Sequence, residues 1–463
     1  MNRLAREIKT RPAGLLRSLL MGAMMQLCAG PTQAAMTLTE AVAIAQANDP
    51  WLAGSEFRQH AIEAESTAAG TLPDPMVSLG IANLPTDTFD FDQEAMTQLK
   101  VGVSQLFPRG DSLALNQKRL ALLGSQHPYQ REDRRAQVAV TIAHLWLEAF
   151  RAKETIRLIE QDRELFEHLV DVAQSSYSSA MGRTRQQDLV RAQLELTRLE
   201  DRLTVLHERR EMAHSSLGEW LRTTPDSRIG PATRWPQEGT GDLALTNTLP
   251  GIELQHPELY IAGGETSPQI MATYLRDHPA LLSMDRRIDA SEAGVELAEQ
   301  KYRPQWSVNA SYGYREDDPM DNDRADFFSI GVAFDLPLFT SKRQDQQVQS
   351  AIASAEALRT EKWLLLRKMI AAFETQRSRL LRLNQRQDLY RSRLLQEMNE
   401  QAEASLTAYT TDDGDFSEVV RARIDELNAR IDALDIEIDR LKSISQLNYF
   451  FTTSSGSAEG ETS

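Results

Sequence analysis

The segment that comes closest to a catalytic motif lies at residues 207–211 (HERRE). It matches the zinc-protease motif HExxH except at its last position, where Glu211 replaces the second histidine ligand. The segment also lies inside a heptad pattern, which favours a place on the surface of a helix. The eight histidines show no other ligand-like spacing, and the sequence has no glycine-rich phosphate loop and no nucleophile elbow. We therefore predict that the protein is not an enzyme and holds no metal ion or cofactor.

The charge of the chain argues against nucleic acid as a partner. The 463 residues carry 51 basic and 67 acidic side chains, a formal net charge of −16. Residues 1–35 hold five of the basic residues and one of the acidic residues, so the remainder carries a charge of −20. A surface this acidic repels the phosphates of nucleic acid. A passage for cations suits it better.

The N-terminal segment 1–35 has the layout of a signal peptide. Its first 18 residues are basic, residues 19–30 are apolar, and small residues at 34 and 35 suit cleavage. A membrane anchor is the alternative, but this apolar stretch is shorter than the roughly 20 residues that a spanning helix needs. The only cysteine, Cys28, follows Leu27 rather than a small residue, so lipidation is not expected. The mature chain is then expected to lack cysteine, and with it disulfides and cysteine-ligated zinc.

The sequence contains an internal repeat at a separation of 229 residues. Four pairs keep this offset: residues 48–50 (NDP) and 277–279 (DHP), 75–79 (PMVSL) and 304–308 (PQWSV), 101–103 (VGV) and 330–332 (IGV), and Pro108 and Pro337. Further along, the offset slips to between 230 and 232, which small insertions near a loop explain. We infer a first repeat at 36–221, a linker or equatorial segment at 222–265, a second repeat at 266–450 and a disordered tail at 451–463.

Each repeat is predicted to open with a helix and to continue with two strands. Thr37 and Glu40 have the spacing of a capping box at the start of the first helix. Alternating apolar and polar residues then predict strands at about 76–84 and 97–106, and at about 305–315 and 327–337 in the second repeat. The links between the paired strands are acidic, and residues 85–96 hold four acids and no base. Each strand is expected to have one apolar and one polar face.

Long helices are predicted after each pair of strands. Residues 111–177 are helical in composition with a predicted interruption at His127 and Pro128, whereas residues 341–408 contain neither proline nor glycine. At 1.5 Å per residue, the latter segment would extend roughly 100 Å. On the returning segments, apolar residues recur in the steps of three and four that are typical of coiled coils. They are Leu189, Ala192, Leu196, Leu199, Leu203, Leu206, Ala213, Leu217 and Trp220, then Val420, Ile424, Leu427, Ile431, Leu434, Ile438 and Leu441.

Four strands of this kind cannot close a barrel by themselves. Their length suits a transmembrane barrel, but in lipid each unpaired backbone amide or carbonyl at an open edge costs several kcal/mol. Three copies would supply twelve strands. The sequence therefore predicts a mainly α fold with a small β part, in which long helical hairpins form a trimeric helical barrel continued by a 12-stranded transmembrane β-barrel. A small soluble sheet packed on helices is the alternative.

This order of elements resembles the TolC family of outer-membrane efflux channels over nearly the whole mature chain. The most specific segments are the two turns, 177–192 (YSSAMGRTRQQDLVRA) and 409–422 (YTTDDGDFSEVVRA). Residues 72–76 (LPDPM), 104–110 (SQLFPRG) and the turn pattern at 182–188 are most similar to the heavy-metal efflux branch. The resemblance implies a passive homotrimeric duct in the lipid of the outer membrane, with its helical barrel in the periplasm. Its partners would be a periplasmic adaptor and an inner-membrane pump of the resistance–nodulation–division type, and its cargo metal cations or other small toxic compounds.

The resemblance also implies a periplasmic constriction lined by carboxylates. Glu418 matches one of its positions, whereas Arg421 stands at the next position, where a second acid is expected. Asp412, Asp413 and Asp415 lie in the turn itself and are candidates to supply acid, or are solvated turn residues. A ring of acids from three chains would bind cations and resist anions.

Other tip residues have roles that the resemblance implies. Asp188 matches a position that ties neighbouring hairpins shut, and a capping role at the start of the following helix is equally compatible. Gly182, Arg183 and Gly414 match the adaptor-contacting tips, and the two glycines also suit a left-handed turn.

Two other classes of protein remain open. A periplasmic adaptor also carries long helical hairpins, but it needs extensive β-domains outside them. A soluble coiled-coil scaffold would leave the signal peptide and the amphipathic strands unexplained. In the channel interpretation, any ATP-driven or proton-driven step belongs to a partner.

Overall fold

A computed structural model describes residues 35–178, 186–221, 245–260, 267–320, 322–411 and 415–454. The predicted signal peptide up to residue 34, most of the predicted linker and the end of the tail lie outside the described residues. So do five residues of the hairpin turns that the sequence singled out, Gly182, Arg183, Asp412, Asp413 and Gly414.

The first set of elements runs from helix α1 to helix α4. Its elements are α1 (Leu38–Asn48), α2 (Pro50–Ala69), β1 (Met76–Ala82), β2 (Gln98–Phe107), α3 (Ser112–Ser178) and α4 (Gln186–Leu221). Helix α1 begins at the predicted capping box: the Thr37 amide donates to the Glu40 carboxylate at 2.8 Å, and the Glu40 amide donates to the Thr37 hydroxyl at 3.3 Å. Helices α3 and α4 pack against each other as a long hairpin.

The second set repeats this order. After a short 3-10 helix at Pro257–Tyr260 come α5 (Pro268–Leu275), α6 (Pro279–Glu299), β3 (Trp306–Tyr314), β4 (Phe327–Phe334), α7 (Gln344–Leu389), α8 (Leu395–Thr410) and α9 (Phe416–Tyr449). A π-helical turn at Tyr390–Leu394 joins α7 to α8 in one helical path. The residue periodicity of the sequence does not signal this turn.

Helix α3 runs without a break through Pro128, so the interruption predicted at His127 and Pro128 is wrong. A proline inside a helix removes one hydrogen bond and costs about 3 kcal/mol. Side chains of α2 hold α3 on both sides of this proline: the Ser55 hydroxyl lies 3.3 Å from Nδ1 of His127, and Nη1 of Arg131 donates to Gln59 at 2.8 Å. Packing along the helix therefore outweighs the local preference of one residue.

One proline pair of the sequence repeat, Pro50 and Pro279, marks helix starts. Asp49 caps α2, because its carboxylate accepts from the Trp51 amide at 3.0 Å. His278 caps α6, because its Nδ1 accepts from the Ala280 amide at 3.2 Å. In both helices the first residue is proline, which fits because an amide at that position has no partner within the helix.

Two neighbouring residues of α3 tie these caps to the long helix. Nε of Arg134 donates to the Asp49 carboxylate at 2.7 Å. Asp133 accepts from the Tyr449 hydroxyl at 2.8 Å, and the Tyr449 carbonyl lies 3.1 Å from Nε2 of His278. Because Nδ1 of His278 accepts a hydrogen bond, Nε2 carries the proton and donates it to that carbonyl. One turn of α3 thus fixes where α2 and α6 begin.

The buried apolar residues follow the predicted heptads. Leu199, Leu203 and Leu206 of α4 pack with Leu427 and Ile431 of α9 and with the facing side of α3. Two further clusters continue the core towards the sheet, around Trp146 of α3 and around Phe373 of α7. None of the helices in the described ranges is both long and apolar enough to span a membrane.

We expect the folded state to lose stability as the pH falls below about 6.5. Burial lowers the pKa of His127, His144 and His278, so the unfolded chain binds protons that the folded chain does not. Their contribution is present above the unfolded pKa and is lost as the pH falls towards the folded values. In His278→Asn, which keeps a capping residue, melting temperature should therefore fall less between about pH 7.5 and pH 5.5 than in the parent, as circular dichroism measures.

The exposed His60→Asn variant is the matched control and should keep the pH dependence of the parent. Asp133 contributes with the opposite sign from about pH 4 upwards, because burial raises its pKa. His278 opposes this rise, so His278→Asn raises the pKa of Asp133 further and changes the pH slope in the same direction as the loss of the imidazole. An unaltered pH slope in His278→Asn contradicts the prediction.

Candidate functional site

The four strands form one antiparallel sheet in the order β1-β2-β3-β4. The register places Leu79 beside Val101, Val101 beside Tyr312 and Tyr312 beside Phe328, so one apolar row crosses all four strands. Parallel rows repeat this pattern along the sheet. Within the described part of the chain, β1 and β4 each pair on one side only, so each leaves an open edge.

The apolar face of the sheet is open in the single chain. Leu79 is 73% exposed, Phe328 72% and Ile330 71%. A contiguous apolar face of this kind marks a surface that another molecule or a lipid phase covers.

The opposite face is built from small and polar residues. Its central row contains Ser78, Gly102, Ser311 and Ser329. The Ser78 hydroxyl lies 2.7 Å from the point where a Cβ on Gly102 would be, so glycine is what lets the neighbouring polar side chain lie flat across this face. The sheet therefore separates an apolar side from a polar side.

The two acidic links at one end of the sheet are joined by arginines. Nη1 of Arg315 donates to the carbonyl of Ala95 at 2.9 Å, and Nη1 of Arg324 donates to the carbonyl of Asp92 at 3.0 Å. Because both arginines bind backbone oxygens of the other link, they hold the two links together.

A chain of alternating charges crosses α7, α9 and α3 in the helical part. Arg151 forms ion pairs with Asp435 at 3.3 Å and with Asp439, which also binds Arg379 at 2.9 Å. Burial raises the pKa of Asp435 although Arg151 opposes the shift. Burial also acts on Asp439, but its hydrogen bonds to Arg151 and Arg379 prevail and lower its pKa. Lys442 extends the chain to Glu148, and burial lowers its pKa. These ion pairs connect the helices. Because the basic and acidic groups neutralise one another, they leave no free charge to bind a solute.

Nearer the hairpin tips, two arginines of α9 bind carboxylates of α3 and of α8. Arg430 donates to both oxygens of Asp162 on α3 at 3.0 Å. Arg423, which is largely buried, binds Glu403 of α8 at 2.6 Å and Glu426 at 2.9 Å. The sequence does not indicate the pairs Arg430–Asp162 and Arg423–Glu403, because both join residues on different helices whose register the heptads alone do not define.

The second hairpin tip is the turn between α8 and α9. The candidate residues described there have different roles. Asp415 is the N-cap of α9, and its carboxylate accepts from the Ser417 amide at 3.1 Å. Glu418 and Arg421 lie one turn apart on the exposed side of the same helix, next to the buried Val419 and Val420. Because residues three apart share a helix face, the exposed surface here carries one charge of each sign.

The remaining tip residues divide between buried and undescribed positions. Asp188 lies in the first described turn of α4, where it is buried and engaged with a partner. Gly182, Arg183, Asp412, Asp413 and Gly414 lie outside the described residues, so their roles stay predictions. Next to the second turn, the rings of Tyr409 and Phe416 meet edge to face at 5.5 Å and close the hairpin.

The segment at 207–211 lies in α4, as the heptads indicated, with Glu208 and Glu211 exposed. In the described part of the chain, no group of three or more His, Cys, Asp or Glu side chains is placed to hold a metal ion.

We expect Asp415→Ala to destabilise the start of α9 by about 1 kcal/mol, because it removes the N-cap acceptor. Asp415→Asn keeps an acceptor and should be close to neutral. Amide hydrogen exchange at residues 416–419 measures the difference. Equal protection in the two variants would show that the carboxylate has no capping role.

The fold is shared with proteins of known structure. No protein-family model and no curated protein sequence matches the chain. The outer-membrane channel OprN matches with a TM-score of 0.71 and 15% identity over 90% of each chain. The CmeC outer membrane channel of Campylobacter jejuni has a TM-score of 0.69 and 15% identity, over 90% of this chain and 85% of its own. CusC, whose structures concern transmembrane channel formation, has a TM-score of 0.68 and 13% identity, over 89% of this chain and 91% of its own. The chain therefore has the mainly α fold with a small antiparallel sheet that these outer-membrane channels share.

Proposed function

We propose that the protein is a member of the TolC family: a passive, homotrimeric efflux channel of the outer membrane, with its helical barrel in the periplasm. The observation that carries the proposal is the sheet, which has an uncovered apolar face, a polar face and two open edges. Strands with these two faces suit a barrel wall between lipid and water.

The open edges require several copies of the chain. Each unpaired amide or carbonyl in lipid costs several kcal/mol, and four strands are too few to enclose a lumen. When β4 of one copy pairs with β1 of the next, all edges disappear, and three copies give twelve strands. The lipid then covers Leu79, Phe328 and Ile330, and the serine and glycine face lines the water.

The helical part also carries a surface suited to a second copy. Val190, Leu194, Val205 and Met212 of α4 are exposed. At about 100° per residue they lie within about 60° of one another around the helix, away from the stripe that packs inside the chain. A neighbouring copy with the same curvature would cover this stripe and continue the tube below the sheet.

The partners follow from the family resemblance. The tips that contain Gly182, Arg183 and Gly414 would contact a periplasmic adaptor, and an inner-membrane pump of the resistance–nodulation–division type would supply the energy. The cargo proposed is metal cations or other small toxic compounds, and the acidic charge of the chain favours the former.

Two features disfavour the other classes of protein. An adaptor needs several β-domains, whereas the strands of the described residues belong to a single four-stranded sheet. A soluble scaffold gives no reason for an apolar sheet face that stays uncovered. The match in fold to outer-membrane channels also favours the duct.

Neighbouring residues of β4 provide a matched pair of variants for the membrane assignment. Ile330→Arg puts a charge on the apolar face and should cost about 2–4 kcal/mol per chain if this face meets lipid. Ser329→Arg puts the same side chain on the polar face and should be tolerated. Outer-membrane fractionation and trimer recovery on non-denaturing gels measure both. Equal recovery of the two variants would reject the lipid-facing assignment.

The acidic constriction has a separate test in planar bilayers. Neutralising Glu418 together with Asp412, Asp413 and Asp415, with asparagine at 415 to keep the cap, should weaken the preference for cations and shift the reversal potential towards zero in a salt gradient. Arg421→Gln is a control of opposite sign. It removes a positive charge and should strengthen the preference for cations. An unchanged reversal potential in the acid variant would refute the acidic ring and leave the channel itself unaffected.

A further inference from the structure

The four strands contain a single charged side chain. Among the 34 residues of β1, β2, β3 and β4, only Lys100 carries a charge. This lone base contrasts with a chain whose acids outnumber its bases. Lys100 lies in β2 between Leu99 and Val101 of the apolar face, so alternation puts its side chain on the polar face.

The register gives this lysine free space on the β1 side, whereas the Gln98 side chain lies over Gly313 on the β3 side. Gly80 of β1 and Gly313 of β3 stand directly beside Lys100, and neither has a side chain. A Cβ on Gly80 would meet nothing within 4 Å. Lys100 is exposed and forms no ion pair with any residue in the described ranges. Its ammonium group is therefore available to whatever fills the space above the polar face.

Two charged residues at the ends of the sheet have contacts of their own. Arg315, which follows β3, binds the Ala325 carbonyl at 2.8 Å, and its own amide donates to Asp326 at 2.9 Å. At the other end, Asp335 forms an ion pair with Arg109. Within the four strands of the described residues, Lys100 is thus the one charge on the polar face.

We propose that Lys100 determines charge selection in the β-barrel section, where three Lys100 ammonium groups, one from each copy, form a positive ring that favours anionic solutes such as carboxylates and phosphates. This inference rests on the proposed function. It gives the strand section a charge preference opposite to that of the candidate acids at the hairpin tips, which favour cations.

The size of such a barrel lets the ring act across the lumen. With strands about 4.8 Å apart and tilted by about 40°, twelve strands give a backbone radius of about 12 Å. At the height of the ring, every point of the lumen then lies within roughly one Debye length of an ammonium group, about 8 Å at physiological ionic strength.

The test measures the local potential with a cysteine on the same face. Ser311 stands diagonally beside Lys100, about 7–8 Å away. The only native cysteine, Cys28, lies in the predicted signal peptide, so Ser311→Cys provides the single reporter. Intact outer-membrane fragments are treated with a sulfonate-bearing and a trimethylammonium-bearing thiosulfonate reagent of similar size. Adding Lys100→Gln should lower the ratio of anionic to cationic reaction rates about fourfold at 10 mM salt and about twofold at 0.15 M.

Two controls make the outcomes distinguishable. Lys100→Arg keeps the charge and should keep the ratio. Val101→Cys lies on the apolar face and should react slowly with both reagents. A ratio that Lys100→Gln leaves unchanged overturns the charge-selection proposal and leaves the channel in place. A Val101→Cys thiol that reacts as fast as Ser311→Cys means that lipid does not cover the apolar face, which overturns the proposed function as well.

Discussion

The structure depends on one constraint. A four-stranded sheet cannot pair its own outer edges, and it cannot cover its own apolar face. Within the described ranges, its two outer strands leave backbone amides and carbonyls without partners, and its side chains at Leu79, Phe328 and Ile330 are exposed. In water the face is unfavourable, and in lipid the edges are unfavourable. Both costs disappear when identical copies join their edges and lipid covers the outer face. Oligomerisation and membrane insertion are then one event.

The helices supply the rigidity that such an assembly needs. Neighbouring residues of α3, Asp133 and Arg134, connect through hydrogen bonds to the caps of α6 and α2, so the long helix positions the two helices that lead into the sheet. The charge chain through Arg151 and the buried leucines of α4 and α9 then hold the hairpins in register. These contacts lie inside one chain. The exposed stripe of α4 remains for contacts between chains.

The sequence predicted those features that depend on local periodicity. Alternation identified the two faces of β2 and β3, and the heptads identified the buried side of α4 and α9, because a side chain's direction follows from its position along one element. It could not predict that α3 passes through Pro128, because the compensating contacts with Ser55 and Gln59 come from another helix. It also could not identify Lys100 as flanked by Gly80 and Gly313, since that depends on the register between strands. At the tip, the family resemblance proposes Asp415 as a constriction acid, which stays a prediction; that it also caps α9 follows from the geometry.

The number of chains in the particle that leaves the outer membrane tests this account most directly. Native mass spectrometry of the protein, extracted in mild detergent without cross-linking, counts the chains. We expect a particle of three identical chains that requires detergent to stay in solution. A single chain that remains monodisperse in plain buffer would contradict it.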